Sequence, residues 1–246
     1  MSIPLVLVHG LWDTPRLFHR LIQGLDQPDR PLLAPHLPHG LGWIPLRQLA
    51  SRLDQHIQQR FGADTRVDLL GFSMGGVIGR IWLQELGGVQ RTRRFLSVGS
   101  PQQGTLAAQM IPRPLLAGAA DMKVGSRLLR ELNRQPDALA GVECSSFFCR
   151  WDLMVCPGWR AVLPLGLCEE IPVWTHQQLI SHPAAIRRLC SSLRAGAQAA
   201  PTRPEWRIRA SVLAGRPRKA SNTSAGERLP PRLSTVSRKR APVART

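Results

Sequence analysis

VDLLGFSMGGVIGR, residues 67–80, sets one serine among four glycines where two hydrophobic periods meet. Val67 to Phe72 is a β-branched and leucine run of strand length, and SMGGVIGRIWLQEL after it has helical spacing. Gly71 and Gly75 let a strand turn directly into a helix while Ser73 holds a strained backbone conformation. Such a bend lifts the serine above the sheet and places it at a helix N-terminus, where unpaired N–H groups favour developing negative charge. A serine hydroxyl is a weak nucleophile unless a base takes its proton, so the motif calls for partners further along the chain. A plain glycine turn carrying an exposed serine is the competing reading, and the flanking strand and helix weigh against it.

Working outward, apolar runs alternate with amphipathic stretches. IPLVLVHG reads as a buried strand, and DTPRLFHRLIQGL as a helix that Asp13 or Thr14 can cap, with Pro15 in its first position. RPLLAPHLP is a short second strand ended by prolines, and PLRQLASRLDQHIQQRF carries apolar residues at 46, 49, 53 and 57, a helical spacing. RRFLSVGS, VECSSFFCRWD and GLCEEIPVWTH supply further strands, and PAAIRRLCSSLRA a closing helix. Strands alternating with helices imply an α/β fold: a mostly parallel central sheet with helices on both faces. In such sheets chemistry gathers at the carboxyl ends of the strands. Residues 101–140, apolar and punctuated by proline and glycine, read as a small cap or lid insertion.

With the serine at such a strand-to-helix bend, the acid and the histidine are expected later in the chain, in the order Ser, then Asp or Glu, then His. Asp152 follows one strand and His176 the last, so both project toward the edge that holds Ser73. Asp152 would orient the imidazole, and His176 would act as general base and then general acid. Glu169, Glu170 and Asp121 compete for the acid role, but only Asp152 directly follows a strand of the right rank. His182 competes with His176, although its SHP context reads as the start of the terminal helix. The loop in LVLVHGLW can double back over the nucleophile and offer the Leu11 N–H, beside that of Met74, to a tetrahedral oxyanion. His9 reads as a brace for that loop.

The formal net charge is +17, and residues 191–246 hold 13 Lys+Arg against 2 Asp+Glu, so the basic excess is mostly a property of the tail. Residues 194–246 mix Pro, Ser and Arg without a sustained period and read as a disordered basic extension, able at most to make weak contact with anionic surfaces. No stable nucleic-acid partner is expected. The opening MSIPLVLVHG has no charged leader or cleavage site, and no apolar stretch approaches membrane-spanning length, which points to a soluble cytoplasmic protein. Cysteines 144, 149, 156, 168 and 190 are odd in number and lack metal-type spacing; they read as reduced thiols acting as small hydrophobes.

PLVLVHGLWDTP, VDLLGFSMGGVIGRIWL, FLSVGSPQQGT, ADMKVGSRLLRELN, RWDLMVCP and THQQLISHP together resemble the α/β-hydrolase superfamily, and within it the bacterial triacylglycerol lipase and esterase group. The likeness spans residues 3–193, giving a hydrolase domain over 1–193. It implies Ser73 as nucleophile, Asp152 as acid, His176 as base, and Leu11 and Met74 as oxyanion donors. It implies no organic cofactor; some secreted members bind calcium, but no acidic cluster in this chain supports a metal. Gln102 stands where the group commonly has histidine. The expected activity is hydrolysis of a carboxylic ester, a small molecule or lipid, through an acyl-enzyme. Acyl transfer by the same residues, and a non-catalytic binding protein of the same fold, stand as alternatives.

Overall fold

The computed structural model describes residues 2–112 and 116–194. The tail expected over 194–246 lies outside the described residues apart from Arg194. The strands are β1 (Leu5–Val8), β2 (Leu32–Leu33), β3 (Val67–Phe72), β4 (Thr92–Val98), β5 (Glu143–Phe148) and β6 (Leu167–Glu170). The helices are α1 (His19–Leu25), α2 (Leu46–Phe61), α3 (Met74–Glu85), α4 (Ala117–Ala120), α5 (Arg127–Arg134), α6 (Gln178–Ser181) and α7 (Pro183–Arg194).

The strands form one six-stranded sheet in the order β2-β1-β3-β4-β5-β6, every pairing parallel. β1 and β3 are buried along their whole length, Asp68 included, as expected of strands covered on both faces. Alternate side chains serve opposite cores. Val6, Val8 and Leu69 join Leu49, Leu53 and Ile57 of α2, with α3 and α5, in one cluster. Leu5, Leu7, Leu70 and Phe72 join Leu21 and Leu25 of α1 and Leu189 and Leu193 of α7 in the other.

The chain runs from β1 outward to β2 and then returns to the opposite side of β1 as β3. That reversal opens a crevice at the carboxyl ends of β1 and β3, where Val8 pairs with Gly71. The register continues through Phe72 with Val98 and Val98 with Phe147, so the loops after β1, β3, β4 and β5 emerge along one edge.

Three details differ from the sequence reading. Thr14 does occupy the N-cap before the 3-10 turn Pro15–Phe18, with Pro15 in the first turn, but no side chain makes a capping bond there. The second strand shrinks to two residues. Residues 101–140 divide: Leu128, Leu129 and Leu132 of α5, with Leu139, are buried in the core beneath α3, whereas Leu106 and Met110 stand exposed. The second half of that segment therefore packs into the core.

Candidate active site

Ser73 has φ 54° and ψ −127°, the left-handed side of backbone space that a residue with a Cβ rarely occupies. Its N–H donates to the Val98 carbonyl at 2.8 Å, fixing the bend against β4. The glycines are needed for close approach. A Cβ on Gly71 would lie 2.4 Å from the Gly76 Cα, and one on Gly75 would lie 2.1 Å from the Val8 carbonyl oxygen. The strand end, the first turn of α3 and the end of β1 are thus pressed together. Although Ser73 is the N-cap of α3, its side chain does not cap that helix. The hydroxyl is spared for another partner.

Asp152 lies in the loop after β5 and is 2 % exposed. Its Oδ1 accepts the N–H groups of Met154 and Val155, each at 2.9 Å. Its Oδ2 meets Nδ1 of His176 at 2.7 Å. The tripod leaves the carboxylate one orientation, and that orientation serves the histidine. His176, in the loop after β6, lays its ring against Phe72, with centroids 4.8 Å apart, immediately before Ser73 in the chain. Its Nε2 is buried and has no hydrogen-bond partner among the described residues. The pair Asp152 and His176 is therefore assembled beside the Ser73 bend with one ring nitrogen unused.

The competing residues are committed elsewhere. Asp121 accepts the Leu46 N–H at 3.3 Å. Glu169 pairs with Arg188 at 3.1 Å and Glu170 with Arg150 at 3.2 Å, on the surface. His182 is exposed and accepts the Ala184 N–H through Nδ1 at 3.2 Å, serving the first turn of α7.

Residues 10–13 form a turn in which the Asp13 N–H reaches the Gly10 carbonyl at 3.4 Å. Trp12 holds φ 62° in this turn, and its N–H donates to Nε2 of His39 at 3.0 Å. Leu11 occupies the turn position whose N–H the turn itself does not use. Met74, the first residue of α3, has one of the N–H groups that a helix leaves without an internal partner. His9 braces this loop: Nδ1–H donates to the Gly10 carbonyl at 2.9 Å and Nε2 accepts the Leu37 N–H at 3.1 Å. Burial holds its pKa below the ordinary value, so it stays the neutral acceptor Leu37 needs.

Several supports were not evident from sequence. His39 and Gln177 grip the turn from two sides, Gln177 Nε2 donating to Asp13 Oδ1 at 3.2 Å. Thr105 accepts the Cys156 N–H at 3.0 Å and donates to the Met154 carbonyl at 2.9 Å, pinning the loop that carries Asp152. Gln102 is buried and donates to Ser97 Oγ at 2.9 Å, tying its loop to β4. Only the PHLPHG run, with its proline and glycine punctuation, hints at the His39 loop.

All five thiols are free, with Cys144, Cys149 and Cys190 buried and Cys168 exposed. Burial pushes the Cys144 and Cys149 thiols up to about 12, which keeps them protonated. Among the described residues no group of three or more His, Cys, Asp or Glu is placed to hold a metal ion, and no helix is long and apolar enough to cross a membrane.

Similar architecture occurs in solved proteins. The product of the lin2722 gene from Listeria innocua superposes with a TM-score of 0.61 at 12 % identity, covering 81 % of this chain and 96 % of that one. Lipase BlEst2 of Bacillus licheniformis in its mature form gives 0.60 at 15 % identity, covering 78 % and 92 %. Aspergillus fumigatus lipase B gives 0.66 at 17 % identity, covering 83 % of this chain but 55 % of the larger lipase. No curated protein matches the sequence. The model of the alpha/beta hydrolase fold family matches residues 3–146, more than half of the chain. With that match and a parallel sheet whose Ser73 bend and Asp152–His176 pair share one edge, the chain belongs to the alpha/beta hydrolase fold family.

Proposed function

We propose that the chain hydrolyses carboxylic esters, with lipid-like substrates favoured, through Ser73, His176 and Asp152. The observation that carries this reading is the buried Asp152–His176 hydrogen bond of 2.7 Å, which leaves Nε2 without a partner among the described residues, beside a strained serine whose hydroxyl does not cap its own helix. Ser73 Oγ attacks the acyl carbon as His176 Nε2 takes its proton. Asp152 holds the imidazole in the Nδ1–H tautomer and offsets the charge that forms on it. The oxygen of the tetrahedral intermediate is received by the Leu11 and Met74 N–H groups, where α3 adds its positive end. His176 then returns the proton to the departing alcohol; water next attacks the acyl carbon as the same nitrogen takes its proton, and His176 passes that proton to Ser73 Oγ as the acid leaves.

The preference for lipid-like esters rests on the rim of the site. Trp12, Trp43, Trp151 and Trp174 are all more than 60 % exposed, and each lies on a loop that leaves the carboxyl end of a strand. Leu41, Leu106, Met110 and Leu153, also exposed, lie on the loops after β2, β4 and β5. Large apolar side chains left in water around one edge suit an apolar acyl chain or a lipid surface. The lipases among the structural relatives point the same way. Ser73 is itself only partly buried, which favours water over a captured alcohol as acyl acceptor and so hydrolysis over transfer.

The test combines mass spectrometry after fluorophosphonate treatment with turnover of p-nitrophenyl esters from acetate to palmitate. Label on Ser73 and loss of turnover in Ser73→Ala are the expected results, with longer chains preferred. A folded protein that neither labels nor turns over any ester would overturn the reading. Product analysis with an added alcohol separates hydrolysis from transfer.

A further inference from the structure

We infer that His39 is a positioning residue for the oxyanion turn: its neutral imidazole holds the Trp12 N–H, and so keeps the Leu11 N–H aimed at the ester oxygen, until protonation releases it. The inference rests on the role proposed for Leu11. It begins with the weakness of the turn itself. The Asp13-to-Gly10 hydrogen bond is long at 3.4 Å, and Trp12 at φ 62° occupies a conformation strained for a residue with a Cβ. Residues 10–13 therefore need outside support to hold one shape.

His39 supplies it from another loop. Nε2 accepts the Trp12 N–H at 3.0 Å, which requires a lone pair on that nitrogen and places the single proton on Nδ1. Nδ1 is buried and has no partner among the described residues. The loop is itself folded tightly behind the ring, with the Gly42 N–H on the His39 carbonyl at 2.9 Å. It also runs close to Leu11: glycine leaves the space, since a Cβ added at Gly42 would lie 3.3 Å from Leu11 Cδ1. The same loop thus passes beside Leu11 and holds its neighbour Trp12.

A second proton on His39 would occupy Nε2 and turn an acceptor into a donor facing the Trp12 N–H. Two donors then oppose each other and the turn loses its anchor. The charged groups facing His39 are His36, which resists a second positive charge, and Asp13, which favours it; the His9 ring lies edge-on at 6.3 Å. Burial is the largest influence and, with His36, holds the His39 pKa below 6.5, so the turn is anchored at neutral pH and released only in acid. Gln177, whose amide carries no ionisable proton, holds Asp13 through Oδ1 at 3.2 Å. Of the two gripping side chains, only His39 can itself gain a proton.

The test uses the full chain and a short, soluble p-nitrophenyl ester, comparing wild type, His39→Ala and His39→Gln across a pH series. Glutamine can still accept the Trp12 N–H through Oε1 but cannot gain a proton. His39→Ala is expected to lose roughly tenfold or more in kcat with KM nearly unchanged, the signature of a weakened transition-state contact. His39→Gln should recover most of that loss. In wild type log kcat/KM should show an additional fall of about one unit below pH 6.5 that His39→Gln lacks. A readout free of catalysis is the Trp12 amide in a proton–nitrogen correlation spectrum: it should shift with pH in wild type, with a midpoint below 6.5, and stay put in His39→Gln. Equal kcat for all three proteins, or a Trp12 amide indifferent to both pH and the glutamine substitution, overturns the inference. Those outcomes leave Ser73-dependent turnover intact, whereas failure of the ester-hydrolase reading itself appears as wild-type activity that Ser73→Ala does not remove, or as no activity.

Discussion

Asp152 and His176, 24 residues apart and on different loops, meet through a 2.7 Å contact between Oδ2 and Nδ1, and the second carboxylate oxygen is fully used by two backbone N–H groups. The carboxylate has no other role to play and no freedom to turn away. Asp152→Asn keeps the shape but can present an NH2 group to Nδ1, which favours the wrong imidazole tautomer. The expected result is a fall in kcat of about 10³ to 10⁴ with KM little changed. Steady-state kinetics on a soluble ester checks it, and an unchanged melting temperature excludes unfolding as the cause.

Gly10 is the closest approach of the loop after β1 to the nucleophile. A Cβ there would lie 2.8 Å from Ser73 Cβ and 2.8 Å from Asp13 Oδ2. Neither neighbour can yield freely, because Ser73 is locked into its bend and Asp13 is held by Gln177. Gly10→Ala should therefore push the Leu11 turn away from Ser73 and slow fluorophosphonate labelling by roughly tenfold or more. A labelling rate equal to wild type would mean that the turn has slack the contacts do not suggest.

His9 offers a stability test with a definite sign. Burial, its largest influence, draws its pKa below the ordinary 6.5, and the bond to the Gly10 carbonyl only partly opposes this. The unfolded chain then binds the proton more readily than the folded one. The stabilisation is fully present above about 6.5 and is lost as pH falls through the lowered folded value. Urea midpoints measured on either side of that value should drop in acid, and the drop should be smaller in His9→Gln. Equal pH dependence in the two proteins would remove His9 from the account.

The physical distinction between these residues explains what could be seen in advance. Ser73 was legible because the strand, the bend and the helix are local and each has its own period or glycine. Asp152 and His176 were reached through their rank after successive strands, since alternating strands and helices leave little choice of where those loops emerge. His39 and Gln177 carry no comparable signal. They act across 27 and 164 residues from loops without periodicity, and the contact exists only once the sheet has brought those loops together. Arg80 is similar: buried in the middle of α3, it is satisfied by the Leu132 carbonyl and by Gln84, partners that no helical pattern announces.

At the opposite edge of the sheet Asp68 is wholly buried between Arg30, at 2.5 Å, and Arg93, whose Nε lies 2.8 Å from Oδ1. Asp68→Asn would strand two guanidinium groups against a neutral amide. Because Arg93 keeps some contact with water, the expected loss is about 3 kcal/mol, toward the lower end for a broken buried pair. Denaturant unfolding should register that loss while kcat/KM at a temperature well below melting stays at its wild-type value. A large catalytic defect would show that the two edges of the sheet are coupled.

The division of residues 101–140 can be tested by its energetics. Leu129 is 1 % exposed and packs in the same cluster as Val77 and Ile81 of α3, so Leu129→Ala removes buried methyl groups from a site that neighbours fill only in part. A cost of about 2 to 5 kcal/mol is expected. Met110, 92 % exposed, has almost nothing to lose, and Met110→Ala should leave the unfolding midpoint within about 0.5 kcal/mol of wild type. If the rim serves acyl chains, Met110→Ala should instead lower turnover of the palmitate ester relative to the acetate ester. Should Leu129→Ala behave like Met110→Ala, with stability intact and chain-length preference altered, the whole segment would have to be a detachable cover, and the burial of α5 beneath α3 would not describe the working molecule.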